Sequence, residues 1–542
     1  MPGSPVSLAV AGLTLIGLVL RLAILFRPLA LIDRLFIPDD TYYTLTIARS
    51  MAHGHGPTVD GTTLTSGFQP LLGFLMTPVF WLTNSADAAL RADLTLLVVV
   101  DTATIAVLAW VAYRLAGRVA AIVAAALWAI SPVAIGMSFG GLETSLAIFV
   151  EISLVALWIW ANDRPTALRW GMAGAVGGLA VLARVDALLL VVLLVVLQLW
   201  RGPRRPLALA TVAAVGIVAP WWVWCTLTFG TPLPTSGPAA HQILPFPSFS
   251  SMTMSLAAGT VSGGPFQPLD WLRSRLIGQS LGVLVFWLLV LASSALAVRW
   301  VTRKPRQGVG ERLASPTGPG VRAIVGTLPA FAAGLLLFYA WFGVTFYFTR
   351  YLAPVGMVLV VVVAAGVGGL ASGHGRGRPL TLVVLSGILV VPTVSAAQLD
   401  AYYATTRSVP AVGPSSPHFY DAATGYREVT TQAVRVPPRG SVIGGWQSGA
   451  LSYFSEGRLT VVNLDGVVNP IAYAASQRDR TLAAYIRSRH IGWVADFPIA
   501  VVRIDLELHQ LQPPPAVRKV TTLSPSGPSP GYMVDEITWP AR

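Results

Sequence analysis

The chain has 542 residues, of which 54% are hydrophobic and 11% charged, and its mean hydropathy is +0.66. Soluble proteins carry roughly 25% charged residues, so this composition excludes an ordinary water-soluble protein. The net charge of +13 would by itself suggest nucleic-acid binding. The distribution of the charges along the chain decides between a membrane protein and a nucleic-acid-binding protein. Cys225 is the single cysteine, which excludes an internal disulfide and a cysteine-based metal site.

Apolar segments of membrane-spanning length recur along the first 397 residues. A bilayer core of about 30 Å takes roughly 20 apolar residues in a helix. The sequence predicts eleven spans, at 6–26, 94–113, 119–138, 143–161, 170–184, 187–200, 207–227, 276–298, 323–342, 351–371 and 380–397. Segment 70–83 is apolar too, but it is short and predicts an interfacial helix.

The basic residues predict the orientation of these spans. Five loops carry fifteen of them against two acids, at 114–118, 162–169, 201–206, 299–322 and 372–379. The positive-inside rule makes these loops and the N-terminus cytoplasmic. The first span is expected to be an uncleaved anchor rather than a removed signal peptide. The positive charge is explained by orientation, so nucleic acid is not an expected partner.

The opposite, extracytoplasmic side receives three loop regions and the tail. The loops are 27–93, 228–275 and the turn around Arg350. From residue 398 the composition changes, and short strands alternate with helices, which predicts a small α/β domain with partly parallel pairing. The predicted strands are Ser441–Gly444, Leu459–Asn463 and Ile491–Asp496, and the predicted helices are Ser448–Phe454 and Arg478–Arg489. The expected domains are 1–397 in the membrane and 398–542 outside it.

Two adjacent carboxylates, Asp39 and Asp40, follow the first span in a chain with few acids. Neighbouring carboxylates repel, which raises one pKa and makes a proton acceptor plausible. The alternative is structural, because either residue could cap a helix over Thr41–His53. Both roles are compatible at this stage.

A series of short motifs resembles the GT-C glycosyltransferases that use polyprenyl-phosphate sugars, with actinobacterial cell-wall arabinofuranosyltransferases the nearest group. The motifs are Asp39-Asp40 with the Gly-Phe-Gln-Pro at 67–70, Gly141-Leu142-Glu143-Thr144, Arg184-Val185-Asp186, Gly230-Thr231-Pro232, Arg350-Tyr351-Leu352-Ala353-Pro354 and Val462-Asn463-Leu464-Asp465-Gly466. Gln69 departs from the resemblance, because related loops often carry His there. Each motif is short, and their order along the chain makes the resemblance specific.

The resemblance implies a mainly α, polytopic membrane bundle with a C-terminal α/β domain. It implies inverting transfer of a sugar, arabinofuranose in the nearest group, from a polyprenyl-phosphate donor to a glycan or protein acceptor of the cell envelope. Asp39 would be the general base and Asp40 would orient it or the acceptor. The partners are the lipid donor, the acceptor and the bilayer.

The few cations on the outer side are candidate ligands of the donor phosphate: Arg350, Arg184 and His55. Interfacial snorkelling is the alternative for Arg350, pairing with Asp186 for Arg184, and a solvated loop for His55. Substrate contacts are expected from Tyr42, Tyr43, Glu143 and His241. Tyr42 and Tyr43 could equally belong to the interfacial aromatic belt.

Further expectations concern charges inside spans, cofactors and rival functions. Arg21, Asp101 and Glu151 are expected to face the bundle interior. No residue spacing predicts a metal site or a cofactor, although a divalent cation is left open. The main rival function is a transporter or flippase for lipid-linked saccharides, and a second is a non-catalytic envelope assembly protein.

Overall fold

The computed structural model describes residues 5–201, 205–243, 319–342, 349–372, 425–478, 481–524 and 531–540. The predicted spans 276–298 and 380–397 lie outside these residues. So do most of the outer loop 228–275 and most of the loops 299–322 and 372–379.

Long apolar helices form the first part of the described chain. They are α1 (Pro5–Leu25), α2 (Leu29–Phe36), α3 (Asp39–Ala52), α4 (Pro70–Met76), α5 (Val79–Leu82), α6 (Ala86–Ala129), α7 (Pro132–Phe139), α8 (Thr144–Asp163), α9 (Ala167–Ala183), α10 (Leu188–Arg201), α11 (Arg205–Phe229), α12 (Ser236–Ile243), α13 (Pro319–Phe342) and α14 (Thr349–Ser372). Within the described ranges, four helices are long and apolar enough to cross a bilayer: Pro5–Leu25, Ala86–Ala129, Thr144–Asp163 and Pro206–Phe229. The chain is a membrane protein.

The segment predicted as two spans, 94–113 and 119–138, contains two helices within α6. The backbone between them is non-helical at Ala116 and at Gly117, whose φ is +82°, and this kink lies inside the predicted loop 114–118. Glycine adopts that conformation without steric cost. The second half ends at Ala129 rather than 138, because Ser131 caps a new helix, α7, with Pro132 at its first position.

Segment 70–83 forms the short helices α4 and α5, each too short to span a bilayer. Trp81 and Leu82 are exposed on this pair, which agrees with the expected interfacial helix. The predicted spans 170–184 and 187–200 correspond to α9 and α10, joined by a 3₁₀ turn over Val185–Ala187.

Three ionisable side chains that the sequence places inside spans are buried in the bundle. Arg21 of α1 donates through Nε to Asp101 Oδ2 of α6 at 2.6 Å, and both side chains are almost fully buried. Trp128 Nε1 also donates to Asp101, at 3.0 Å. Glu151 is buried as well, and its carboxyl has no hydrogen-bond partner within the part of the chain that the structure describes. The inward orientation of all three is confirmed.

The tail contains a small sheet flanked by helices. Its elements are α15 (Tyr426–Ala433), β1 (Val442–Gly445), α16 (Gly449–Ser455), β2 (Thr460–Asn463), α17 (Pro470–Tyr473), α18 (Leu482–Ser488), β3 (Trp493–Asp496), α19 (Pro498–Leu508), β4 (Ala516–Leu523) and β5 (Tyr532–Thr538). The strand order is β2-β1-β3-β5-β4, with β1 parallel to β2 and β3, and β5 antiparallel to both its neighbours. The predicted strands and the partly parallel pairing are confirmed, whereas α19, β4 and β5 were not predicted.

Candidate functional site

Several helix ends converge around an ion pair between Asp40 and Arg350. Asp40 lies in the first turn of α3, and Arg350 is the second residue of α14. Arg350 Nη2 donates to Asp40 Oδ2 at 2.6 Å. The Asp40 side chain is 44% exposed and the Arg350 side chain 11%, so the carboxylate of this pair is accessible to a substrate.

Arg184 lies at the centre of a buried polar network. It follows the last residue of α9 and donates to Glu143 Oε1 at 3.0 Å and to Asp186 Oδ2 at 2.8 Å. It also donates to the Tyr339 hydroxyl at 2.9 Å, and that hydroxyl in turn donates to Asp186. Arg184 is 3% exposed. Arg184 therefore forms the pair with Asp186 that the sequence offered as the alternative to phosphate binding.

Tyr351 joins this network to the Asp40–Arg350 pair. The guanidinium carbon of Arg184 lies 5.6 Å from the centre of the Tyr351 ring, and that of Arg350 lies 5.2 Å from it. Tyr339 stacks on the same ring at 5.3 Å. Four residues that the sequence predicts on one membrane face, Asp40, Arg350, Arg184 and Glu143, thus form one cluster.

Asp39 has a different environment from Asp40. Helix α3 begins at Asp39 itself, and no side chain caps it, so the expectation that Asp39 or Asp40 caps Thr41–His53 is wrong. Asp39 Oδ2 instead accepts from the Gly449 N–H at 2.8 Å, and Oδ1 accepts from the Ala450 N–H at 2.7 Å. Asp39 therefore caps α16 of the tail, where unpaired N–H groups and the helix dipole favour an anion.

Five consecutive backbone N–H groups of the tail, from Trp446 to Ala450, each donate a hydrogen bond to a side-chain oxygen. Asp496 Oδ2 accepts from Trp446 and Gln447 at 2.6 and 2.9 Å. The Tyr43 hydroxyl accepts from Ser448 at 2.9 Å, and Asp39 accepts the last two. Two of the three acceptors belong to α3, so this helix and the tail form one continuous hydrogen-bonded unit.

The contact of α3 with the tail, through Asp39, Tyr43 and Arg49, is called the junction below. Close backbone approach at this junction requires a glycine. A Cβ on Gly449 would lie 2.3 Å from the Asp39 carbonyl oxygen and 3.0 Å from its Oδ2. Arg49, on the same helix, donates to the carbonyls of Tyr453 and Ser452 at 3.0 and 3.2 Å. The contact between α3 and α16 therefore extends along both helices.

Burial raises the pKa of three carboxyls at the junction. It raises the pKa of Asp39 to about 8, against the opposing effect of its two N–H donors, and the negative charges of Asp40 and Asp496 act in the same direction as burial. Burial likewise raises the pKa of Asp465 and that of Asp496 to about 7. The junction therefore stores protons that free carboxyls would have lost at neutral pH.

Tyr42 and Tyr43, from which substrate contacts were expected, are both buried. Tyr42 is fully buried, donates to Asp33 and packs against the rings of Tyr453 and Phe454 at 5.4 and 5.1 Å. Tyr43 is 4% exposed, with its hydroxyl engaged by the tail. Both tyrosines therefore hold α3 in place rather than line an open site.

The two histidines are not brought into the cluster by the described contacts. His55 is exposed beyond the C-terminal end of α3, whereas Asp39 and Asp40 lie in the first turn of that helix. The expected contact of His55 with the donor phosphate stays a prediction. His241 belongs to α12, and its side chain lies outside the described part. No group of three or more His, Cys, Asp or Glu side chains that could hold a metal ion occurs among the described residues.

The predicted site residues did not include Asp33 and Asp496 at the junction, or Tyr339 and Tyr351 in the cluster. Asp496 ends strand β3, where side chains at the carboxyl end of a parallel pair meet at one edge. That position was a usable signal for Asp496. Tyr339 carried no signal of its own, since an aromatic residue near a span end is typical of the interfacial belt.

No protein-family model and no curated protein matches the sequence. Solved structures do match, and what they share with the chain is the fold.

One such structure is ArnT from Cupriavidus metallidurans bound to undecaprenyl phosphate, at 14% identity and a TM-score of 0.56, covering 97% of this chain and 98% of that one. Another is the apo oligosaccharyltransferase of Archaeoglobus fulgidus, at 12% identity and a TM-score of 0.54, covering 92% of this chain and 70% of that one. The likeness is one of fold, and it extends through the bundle and the tail.

Proposed function

We propose that the chain transfers a sugar, with inversion, from a polyprenyl-phosphate donor to a glycan or protein acceptor of the cell envelope. The reaction takes place at the outer face of the cytoplasmic membrane, in a multi-pass protein with a cytoplasmic N-terminus and an extracytoplasmic tail. The observation that carries the proposal is the accessible Asp40 carboxylate paired with Arg350 where helix ends converge. The shared fold with an ArnT that binds undecaprenyl phosphate supports the lipid-phosphate donor. The sequence resemblance favours arabinofuranose as the sugar.

In this mechanism the donor phosphate competes with Asp40 for the Arg350 guanidinium. A guanidinium fork binds phosphate oxygens as well as carboxylate oxygens. As the phosphate takes up Arg350, the Asp40 carboxylate becomes available as a general base. The acceptor hydroxyl oxygen then forms a bond to the anomeric carbon and gives its proton to the carboxylate. The bond from that carbon to the phosphate oxygen breaks, and the electron pair leaves on the lipid phosphate beside Arg350.

The family resemblance implies Asp39 as the general base and Asp40 as the orienting residue. We propose the reverse assignment. Asp39 is 6% exposed, and each of its oxygens already accepts a backbone N–H, whereas Asp40 is 44% exposed. Asp39 is then a positioning residue, which fixes the first turn of α3 against the tail and so directs Asp40 toward the substrate.

Sugar transfer in reconstituted vesicles tests the assignment. Asp40→Asn keeps the size of the side chain and removes the proton acceptor, so transfer from a panel of polyprenyl-phosphate sugars should fall by about 10²- to 10⁴-fold. Asp505→Asn changes a partly exposed carboxyl of α19 that pairs with His509; it is the matched control and should keep full activity. Normal transfer by Asp40→Asn would contradict the base role. A larger loss in Asp39→Asn, with the thermal stability of the wild type, would return that role to Asp39.

The rival transporter function is not favoured, because the solved structures that share the fold are those of transferases. A transporter would move the lipid-linked saccharide without cleaving the bond to phosphate. Detection of free polyprenyl phosphate as a product of the vesicle assay therefore separates the two functions. Adding a chelator to the same assay tests the divalent cation that the sequence left open.

A further inference from the structure

A cavity lies apart from the Asp40–Arg350 pair, between α2 of the first loop and α15 of the tail. Its volume is about 490 Å³, and it is lined by Ala30, Arg34, Arg427, Glu428, Thr431 and Arg435. Small-ligand pockets have volumes of roughly 300–1,000 Å³. The cavity shares no lining residue with the proposed catalytic cluster.

The lining of this cavity is basic. It contains three arginines and one glutamate. Arg34 forms an ion pair with Glu428, and Arg427 forms one with Asp87 at the start of α6. Within the described chain, no carboxylate lies within 4.0 Å of the Arg435 guanidinium, and its side chain is exposed. The Asp33 carboxyl also interacts with Arg34 and Arg427, so the charge of the lining that lacks an ion pair among the described residues is that of Arg435.

The cavity lies close to a membrane surface. Helix α1, which is long enough to cross a bilayer, ends at Leu25, and α2 begins at Leu29. Between them, Phe26 is 79% exposed, as expected of a side chain in contact with lipid. Arg34 follows closely on α2, and Arg427 and Arg435 line the same cavity, so we expect the cavity to lie near the headgroup layer.

We propose that this cavity, lined by Arg34, Arg427 and Arg435, binds a phosphate-bearing anion at the membrane surface. Guanidinium groups bind phosphate oxygens in pairs of parallel hydrogen bonds, and three of them around one cavity suit a tetrahedral anion. The phosphate can belong to the headgroup of an anionic phospholipid or to a free phosphate in solution. Neither source takes part in the sugar transfer proposed above.

Binding measurements on the full chain test the proposal and separate the two sources. Native mass spectrometry follows the binding of phosphatidylglycerol and of the neutral phosphatidylcholine, and calorimetry follows the binding of inorganic phosphate. Arg435→Gln should weaken binding of the anionic probe about tenfold, the effect of one lost charge-assisted hydrogen bond. Arg439→Gln, an exposed arginine of the same segment outside the lining, is the matched control and should bind like the wild type.

Glu428→Gln removes the carboxylate of the lining and should tighten binding of the anion, a change that misfolding would not produce. A selective effect on phosphatidylglycerol identifies a lipid headgroup, and a selective effect on inorganic phosphate identifies the free anion. Equal affinity of the wild type, Arg435→Gln and Arg439→Gln for both probes would overturn the proposal.

Discussion

At the scale of single residues, Asp39 and Asp40 show how neighbours in sequence acquire different chemistry. Successive residues of a helix point about 100° apart, so one carboxylate faces the tail and the other faces Arg350. The sequence showed that the pair was unusual. It could not show which member would be buried, because the partners, Gly449 and Arg350, lie more than 300 residues away.

The raised pKa values at the junction predict a pH-dependent stability. Above pH about 4 the folded protein keeps protons that the unfolded chain has lost, up to about pH 7 on Asp465 and Asp496 and up to about pH 8 on Asp39. The free energy of unfolding should therefore fall as the pH rises through this window. The melting temperature, followed from pH 5 to pH 9, should decrease in the wild type and decrease less in Asp39→Asn.

The matched control for this measurement is Glu507→Gln, at a carboxyl of α19 outside the junction, which should keep the slope of the wild type. An identical slope in the wild type and in Asp39→Asn would show that Asp39 does not titrate with the fold.

Arg350 carries a prediction on donor binding. Arg350→Gln removes charge-assisted hydrogen bonds to the donor phosphate, each worth about 1.5–3 kcal/mol, so kcat/KM for the lipid donor should fall about 10- to 100-fold. Arg350→Lys should recover part of the loss, because the charge remains while the fork is lost. Donor kinetics in vesicles check this, with Arg439→Gln as the control for a lost arginine. An unchanged kcat/KM in Arg350→Gln would remove Arg350 from the mechanism.

At the scale of elements, the contact between α3 and α16 depends on the absence of a side chain at Gly449. Gly449→Ala would place a Cβ 2.3 Å from the Asp39 carbonyl oxygen, so the helices must separate, and the two N–H bonds to Asp39 lengthen. The expected loss in the free energy of unfolding is about 1–3 kcal/mol. Gly492→Ala is the control, since nothing lies within 4 Å of its added Cβ. Equal melting temperatures for the two variants would contradict the close packing.

Helices and strands were predicted correctly where a single pattern, such as apolar length or a β-branched run, was strong. The apolar lengths gave α1, α8 and α11 with ends within a few residues, and buried β-branched runs gave β1, β2 and β3. Strand β4 was missed because it lies at the edge of the sheet and is largely exposed, with Arg518 and Lys519 breaking any apolar pattern. The end of α6 was missed although Ser131 and Pro132 were a readable start signal for α7.

At the scale of the whole molecule, the membrane part and the tail meet in a polar junction that no local pattern predicts. The predicted boundary between residues 397 and 398 lies where the composition of the chain changes. The structure joins the two sides through Asp39, Tyr43 and Arg49, each bonded to the tail. Long-range hydrogen bonds of this kind leave no periodicity in a sequence, because donors and acceptors are each ordinary polar groups where they stand.

The run of five N–H groups from Trp446 to Ala450 has a consequence for biosynthesis. The acceptors on α3 are made 405 to 411 residues before their donors. At 5–20 residues per second, translation needs about 20 to 80 s to cover that interval. During it, α3 lacks the partner that buries Asp39, whose carboxyl then keeps the proton affinity of a solvated acid. Assembly of the first loop is therefore completed by the arrival of the tail, long after the first span has been synthesised.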